Sequence, residues 1–280
     1  MDENIIKIAT NKLERINPND QSSYEKTFKV LKSIGKIPVL ITKLGSGTPV
    51  FRSRTHKNET QLYERISDIF ITPKDKVQKF GRCNAPKNSI FYTSENRPIS
   101  YIELVKDWFF GFKDDERLFV TIGKWITQKE LNLVIVTSPD MCQRMSSFDQ
   151  FYGNYLDEYI DQFPINERKG YVAFYKYLFG KFSEDSALGR KNTYLVTSAY
   201  CDLAISLSNA DGILYPSVPS IIYGMNVAFK ADIANFSNFK LNAIYRSEMI
   251  VIKEDGKTHF KEIGIRKATS FDIDRNSIRW

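Results

Sequence analysis

The sequence predicts an α+β domain built on a mixed β-sheet. Segments with strand periodicity occupy both halves of the 280-residue chain, and segments with helical periodicity lie between them. No internal repeat or low-complexity stretch interrupts the pattern. Proline and glycine are scattered, so no linker divides the chain.

The first forty residues read as helical. Ile5, Ile8 or Ala9, Leu13 and Ile16 recur at helical spacing before the breaker Asn17-Pro18-Asn19-Asp20. A second helix is predicted from Ser22 to Ile34, with Gly35 as its stop. Residues 1–40 are therefore expected to be a helical extension of a domain covering 41–280. Strands follow from Pro38 to Thr42 and, after the turn Gly45-Ser46-Gly47, from Val50 to Arg54. Alternation puts Phe51 and Ser53 on one face of that second strand, Arg52 and Arg54 on the other. Leu62 to Phe70 reads as a short helix, and Ser89 to Thr93 as a compact strand. Pro98 suits the start of a helix running through Trp108 and Phe109.

Leu118 to Ile126 and Leu131 to Val136 read as strands paired with each other. Residues 143–182 look helical, broken at Phe163-Pro164, and about 141–188 is expected to be a helical insertion. A helix from Thr193 to Leu207 precedes the turn Asp211-Gly212. Strands from Ile213 to Val218, Met225 to Phe229, Leu241 to Ile252 and His259 to Ile265 complete the chain.

Composition narrows the function. With 42% hydrophobic and 26% charged residues the chain is globular. Its longest apolar run, Tyr171 to Tyr175, is far short of the roughly 20 residues that span a bilayer. The start Met-Asp-Glu-Asn has neither a basic nor an apolar signal region, so no secretory signal is expected. Cys83, Cys142 and Cys201 fit no zinc or disulfide spacing, and reduced thiols in a cytoplasm are expected. His56 and His259 are the only histidines, so a multi-histidine metal centre is excluded. Chemistry must rest on carboxylates, arginines, hydroxyls and aromatics. The net charge of +7 points to an anionic partner, but the charges are interspersed, as in Lys113-Asp114-Asp115-Glu116-Arg117. Without a basic tail, nucleic acid is not the expected one.

Gly45-x-Gly47 is too short for a dinucleotide fingerprint, and P-loop, G-x-S-x-G and H-E-x-x-H motifs are absent. A metal-dependent nuclease site could be assembled from Asp140, Glu167 and Lys169. A non-enzymatic basic binding module is the other alternative. A more specific constellation is spread over four places. Phe51-Arg52-Ser53-Arg54 offers an arginine on a strand, and Gly81-Arg82-Cys83-Asn84 leads into a strand containing Tyr92. Glu103 follows eleven residues later, and Asp211-Gly212-Ile213-Leu214-Tyr215-Pro216-Ser217 precedes Gly224-x-Asn226.

In this order the pieces resemble the RES domain, over residues 50–135 and 190–230. The chain departs from its pattern at Phe80, at Cys83 and in the inserted helical stretch. The resemblance implies an ADP-ribosyltransferase-like split sheet and an enzyme that cleaves NAD as substrate. It also implies a toxin of a toxin–antitoxin pair with an Xre-type antitoxin partner. Carried over residue by residue, it implies that Arg52 binds phosphate, with Arg82 and Asn84 holding phosphate or ribose. It also has Tyr92 stack on nicotinamide, Glu103 stabilise the cation and Ser217 position the substrate. No metal is expected for that chemistry. On a helical wheel Glu103 lies with Lys106 and Asp107, opposite Tyr101, Leu104, Val105, Trp108 and Phe109. Its carboxylate is therefore either solvated or turned to a ligand cleft.

Overall fold

The computed structural model describes residues 1–56, 58–105, 115–144, 147–184, 192–217, 224–254 and 257–280. Within them the chain is α+β, with seven helices around a nine-stranded mixed sheet. No helix among the described residues is long and apolar enough to cross a membrane.

Helices α1 (Glu3–Glu14) and α2 (Ser23–Ser33) open the chain. Asp2 caps α1 by accepting from Asn4 N, and Gly35, at φ +90°, ends the α2 region. The buried stripe of α1 is Ile6, Ala9 and Leu13, while Ile5 and Ile8 face solvent. Periodicity alone misplaces the first turn because three isoleucines fall within four positions.

The order of the large sheet is β1-β5-β6-β7-β3-β2-β4-β8-β9. Its strands are β1 (Ile41–Leu44), β2 (Pro49–Thr55), β3 (Ile90–Ser94), β4 (Arg117–Thr127) and β5 (Leu131–Ile135). Beyond them run β6 (Gly212–Pro216), β7 (Met225–Lys230), β8 (Phe239–Glu254) and β9 (Lys257–Lys267). All adjacent pairs are antiparallel except β5–β6. A small hairpin, β10 (Ser270–Asp272) with β11 (Ser277–Arg279), lies outside the sequence expectation.

Strands β4 and β5 do not pair with each other, which corrects the expected hairpin. Strand β4 lies between β2 and β8, and β5 between β1 and β6. The β1/β5 ladder ends at Leu44↔Leu131 and the β2/β4 ladder starts at Pro49↔Ile126, five residues further along each strand. These four strands are thus one antiparallel ribbon bent at residues 45–48 and 127–130. Thr127 holds the bend: its Oγ1 donates to Gly45 O and accepts from Thr48 N, and its carbonyl accepts from Gly47 N. Burial explains why β5 leaves β4. Leu133, Val134 and Ile135 are fully covered on both faces, which an edge position could not provide.

Helices α5 (Ser147–Asp161) and α6 (Ile165–Ser183) flank Pro164, as the sequence predicts, and α7 (Thr193–Ser208) follows. Helix α1 packs on α6 and α2 on α7. Ile6, Leu13 and Leu31 thereby share one core with Phe174, Tyr200, Val134 and Ile213. One helix and one strand are shorter than their predictions. Only Ile66–Ile69 (α3) of the Leu62 to Phe70 stretch is helical, and the strand expected from Pro38 starts at Ile41. Helix α4 (Arg97–Val105) begins at Pro98's turn, with Asn96 Oδ1 capping Ile99 N at 2.9 Å. The predicted continuation to Trp108 and Phe109 lies outside the described residues.

Candidate functional site

The two halves of the sheet meet where β2 passes β3, and there the ladder has one residue pair, Phe51↔Ser94. Elsewhere adjacent strands share three or more. The ladder does not continue to Arg52 and Thr93. Arg52 spans the gap, donating from Nη1 to Tyr92 O at 2.7 Å in place of a backbone bond. A cavity of about 270 Å³ opens beside it, lined by Arg52, Arg54, Glu103, Tyr92, Tyr215 and Asn226 among others.

Helix α4 supplies the opposite wall. Tyr101 and Leu104 pack on Leu118, Val120 and Ile122, while Ser53 and Ser100 share a buried hydroxyl bond of 2.6 Å. Those contacts fix the helix rotation and aim Glu103 into the cavity rather than at solvent. Its Oε1 accepts from Ser217 Oγ and from Asn226 Nδ2, both at 2.6 Å. Ser94 Oγ in turn donates to Asn226 Oδ1 at 2.6 Å, which fixes the amide with its nitrogen toward Glu103. Strands β3 and β7 and the end of β6 thus converge on one carboxylate.

Facing it is an unusual density of positive charge. Arg52 is 5% exposed, yet the acceptors of the Arg52–Arg54 pair are all neutral: Tyr92 O, Thr72 Oγ1, Asp68 O and Phe70 O. Arg52 Nε has no partner among the described residues. Burial first, then the charge of Arg54, pushes the Arg52 guanidinium well below its ordinary pKa, and burial lowers Arg54 as well. Asp68 is close enough to oppose the shift of Arg54, but its carboxylate pairs with Arg65. Neither guanidinium makes an ion pair among the described residues, so the charge of Arg54 adds to the cost of charging Arg52.

The residues singled out from sequence fall in four places. Arg52, Tyr92 and Glu103 line the cavity. Ser217 is fully buried and reaches it through Glu103. Asn84 stands on the far side of Tyr92, accepting from its phenol at 2.8 Å, while that phenol accepts from Cys83 N. The Tyr92 ring is therefore held by its hydroxyl end. Arg82 lines none of the described cavities. Its guanidinium caps the C-terminus of α6 through the carbonyls of Lys181, Phe182 and Glu184, and it covers the Tyr194 ring at 5.2 Å. Sequence reasoning left out Arg54, Thr72 and Ser94 and gave Asn226 no role. Arg54 could have been found from its place two residues after Arg52 on one strand face; Thr72 and Ser94 carry no such signal.

The alternative carboxylates are engaged elsewhere. Asp140 accepts from Cys142 N, and Glu167 pairs with the Met1 ammonium at 2.7 Å. No group of three or more His, Cys, Asp or Glu side chains placed to hold a metal occurs among the described residues.

No family model matches the chain, and no curated protein matches it. Among solved structures, similarity is found to the M. tuberculosis MbcT–MbcA toxin–antitoxin complex, at 8% identity and a TM-score of 0.34. The match covers 81% of this chain and 87% of that one. At that score the likeness lends no weight to a function.

Proposed function

We propose that the chain cleaves the nicotinamide–ribose bond of NAD. The observation that carries this reading is the cavity in which the buried Arg52–Arg54 pair faces a Glu103 carboxylate gripped by Ser217 and Asn226. The sequence resemblance to RES domains points the same way.

In this reading the guanidiniums hold the pyrophosphate, whose two charges relieve their mutual repulsion. The C1′–N bond breaks with its electron pair moving to the ring nitrogen, so nicotinamide leaves neutral. Positive charge develops on the ribose as an oxocarbenium ion, and the fixed carboxylate of Glu103 stabilises it. Tyr92 and Tyr215 form flat walls for the leaving ring. The acceptor at C1′ is water, phosphate or a protein nucleophile, which loses its proton as it adds. A toxin role with an antitoxin partner comes with the resemblance, a cytoplasmic setting with the unpaired cysteines, and both belong to the same proposal.

The test is incubation with NAD in EDTA and chromatographic detection of nicotinamide. Release at a rate proportional to protein is expected, because the residues in the cavity require no metal for this step. Activity abolished by EDTA and restored by Mg²⁺ would move the chemistry to a metal-dependent reading instead.

A further inference from the structure

The large sheet has two edges, β1 and β9, and they are finished differently. Along β9, Lys261, Arg266 and Lys267 are exposed, a guard against the addition of a further strand. The one cation of β1, Lys43, is matched by Glu130 at 2.8 Å. Beside β1 lies a groove of about 660 Å³ walled on its other side by α5. We propose that this groove takes an extended peptide of alternating apolar and basic residues, which adds to the sheet as a further strand against β1. The site is independent of the NAD reading and shares no lining residue with the Arg52–Glu103 cavity.

The backbone of β1 is set for such an addition. Leu40 O accepts from Ile135 N at 2.9 Å, one step before the Ile41↔Val134 pair. Bonded and non-bonded pairs alternate in an antiparallel ladder, so Thr42 and Leu44 bond to β5. The N–H and C=O groups of Ile41 and Lys43 therefore point away from it. No strand covers that side among the described residues, and both residues line the groove. An incoming strand meets donors and acceptors already in ladder geometry.

Helix α5 supplies pockets for its side chains. Phe151, Tyr155 and Glu158 recur at helical spacing, share one stripe of the helix and line the groove. Phe151 is 66% exposed and Tyr155 42%, an open aromatic surface one turn apart facing an open strand edge. Tyr152 ties that stripe to the strand: its hydroxyl lies 3.3 Å from Thr42 Oγ1, and its ring meets Phe151 edge-on at 5.0 Å.

Charge selects the occupant. Glu158 is exposed and makes no ion pair among the described residues, while Lys43 is neutralised by Glu130. The groove is thus left with an unmatched carboxylate. Helix α5 contains no lysine or arginine, and its Asp157 and Asp161 are already held by Arg144 and Arg168. On a chain of net charge +7 this is a local acidic spot, which attracts a basic segment and disfavours an acidic one.

The test is fluorescence anisotropy with a labelled peptide about ten residues long, alternating valine and lysine, with prolines at its ends to keep it from pairing with itself. A counterpart carries glutamate in place of lysine. The lysine peptide is expected to bind, and the glutamate peptide about tenfold more weakly. Lys43→Pro removes an outward N–H that takes no part in the β1/β5 ladder, whereas Lys43→Ala removes the side chain and keeps that N–H. Proline should weaken the lysine peptide about tenfold, and alanine should leave it within about threefold. Glu158→Lys should reverse the preference between the two peptides, and it reads the site even where proline unfolds the edge. Equal binding of both peptides, no binding of either, or equal losses in Lys43→Pro and Lys43→Ala would overturn the proposal. So would a wild-type chain that sediments as a dimer and becomes a monomer in Lys43→Pro, since that assigns the edge to a second copy.

Discussion

Replacing Glu103 by Gln tests the site at its centre. Glutamine keeps an oxygen at Oε1, so Ser217 and Asn226 retain their acceptor, and the side chain keeps its length and volume. What is lost is the charge. Hydrogen bonds to an ionised group contribute about 1.5–3 kcal/mol against about 0.5–1.5 for neutral pairs. Two such bonds on a half-buried carboxylate therefore set a stability loss of about 1–2 kcal/mol, a fall of a few degrees in Tm. That exceeds the near-zero change expected of a solvated helix residue. Catalysis should suffer more. The carboxylate acts on charge that appears only as nicotinamide leaves, and removing one such electrostatic contact costs about 3 kcal/mol, about a hundredfold in kcat. KM for NAD should stay within about threefold, because the phosphates are assigned to Arg52 and Arg54. Nicotinamide release, thermal melting and NAD titration on the same preparation separate these effects. A folded Glu103→Gln protein with wild-type kcat would refute the assignment. A raised KM at unchanged kcat would show that Glu103 only binds.

Two further outcomes follow from the neighbouring geometry. Ser94→Ala removes the hydroxyl that orients the Asn226 amide, so kcat should fall about tenfold with little change in KM, and Ser94→Thr should recover part of it. A loss of stability without a kcat effect would make Ser94 a packing residue only. His56 is buried against Thr121 with its pKa lowered to about 4, by burial first and then by Arg246, from an ordinary 6.5. Between those values the unfolded chain binds the proton and the folded one does not. The stability present above pH 6.5 is therefore lost as pH falls toward 4, by up to about 3 kcal/mol. Urea titrations at pH 7 and pH 4.5 should show that loss in the wild type and a smaller one in His56→Gln; equal losses would place the acid sensitivity elsewhere.

Local features were legible in the sequence where one residue decides them. Gly35 ends α2, Pro164 separates α5 from α6, and Pro98 marks the start of α4. Strand existence was legible too, but partners were not. Pairing β4 with β5 is the natural reading of two strands three residues apart, and it fails because long-range burial of Leu133 to Ile135 decides where β5 goes. The site shows the same division. Arg52 and Glu103 were found because their motif is ordered along the chain. Arg82 belongs to that motif too, yet it is drawn to the end of a helix inserted about a hundred residues later, a contact no local pattern encodes. Thr72 was invisible for the opposite reason: its importance lies in accepting from two side chains that themselves had to be placed first.

The single Phe51↔Ser94 ladder pair is the narrowest backbone seam in the sheet, and the ribbon bent at 45–48 and 127–130 links the strands on its two sides. The bent ribbon is a continuous spine behind it, and Arg52 is the latch across the opening. A latch that is also the proposed phosphate grip couples aperture to occupancy. An anion drawn onto Arg52 must either share the guanidinium with the Tyr92 carbonyl or release it, so the width of the seam becomes a function of what lies inside it.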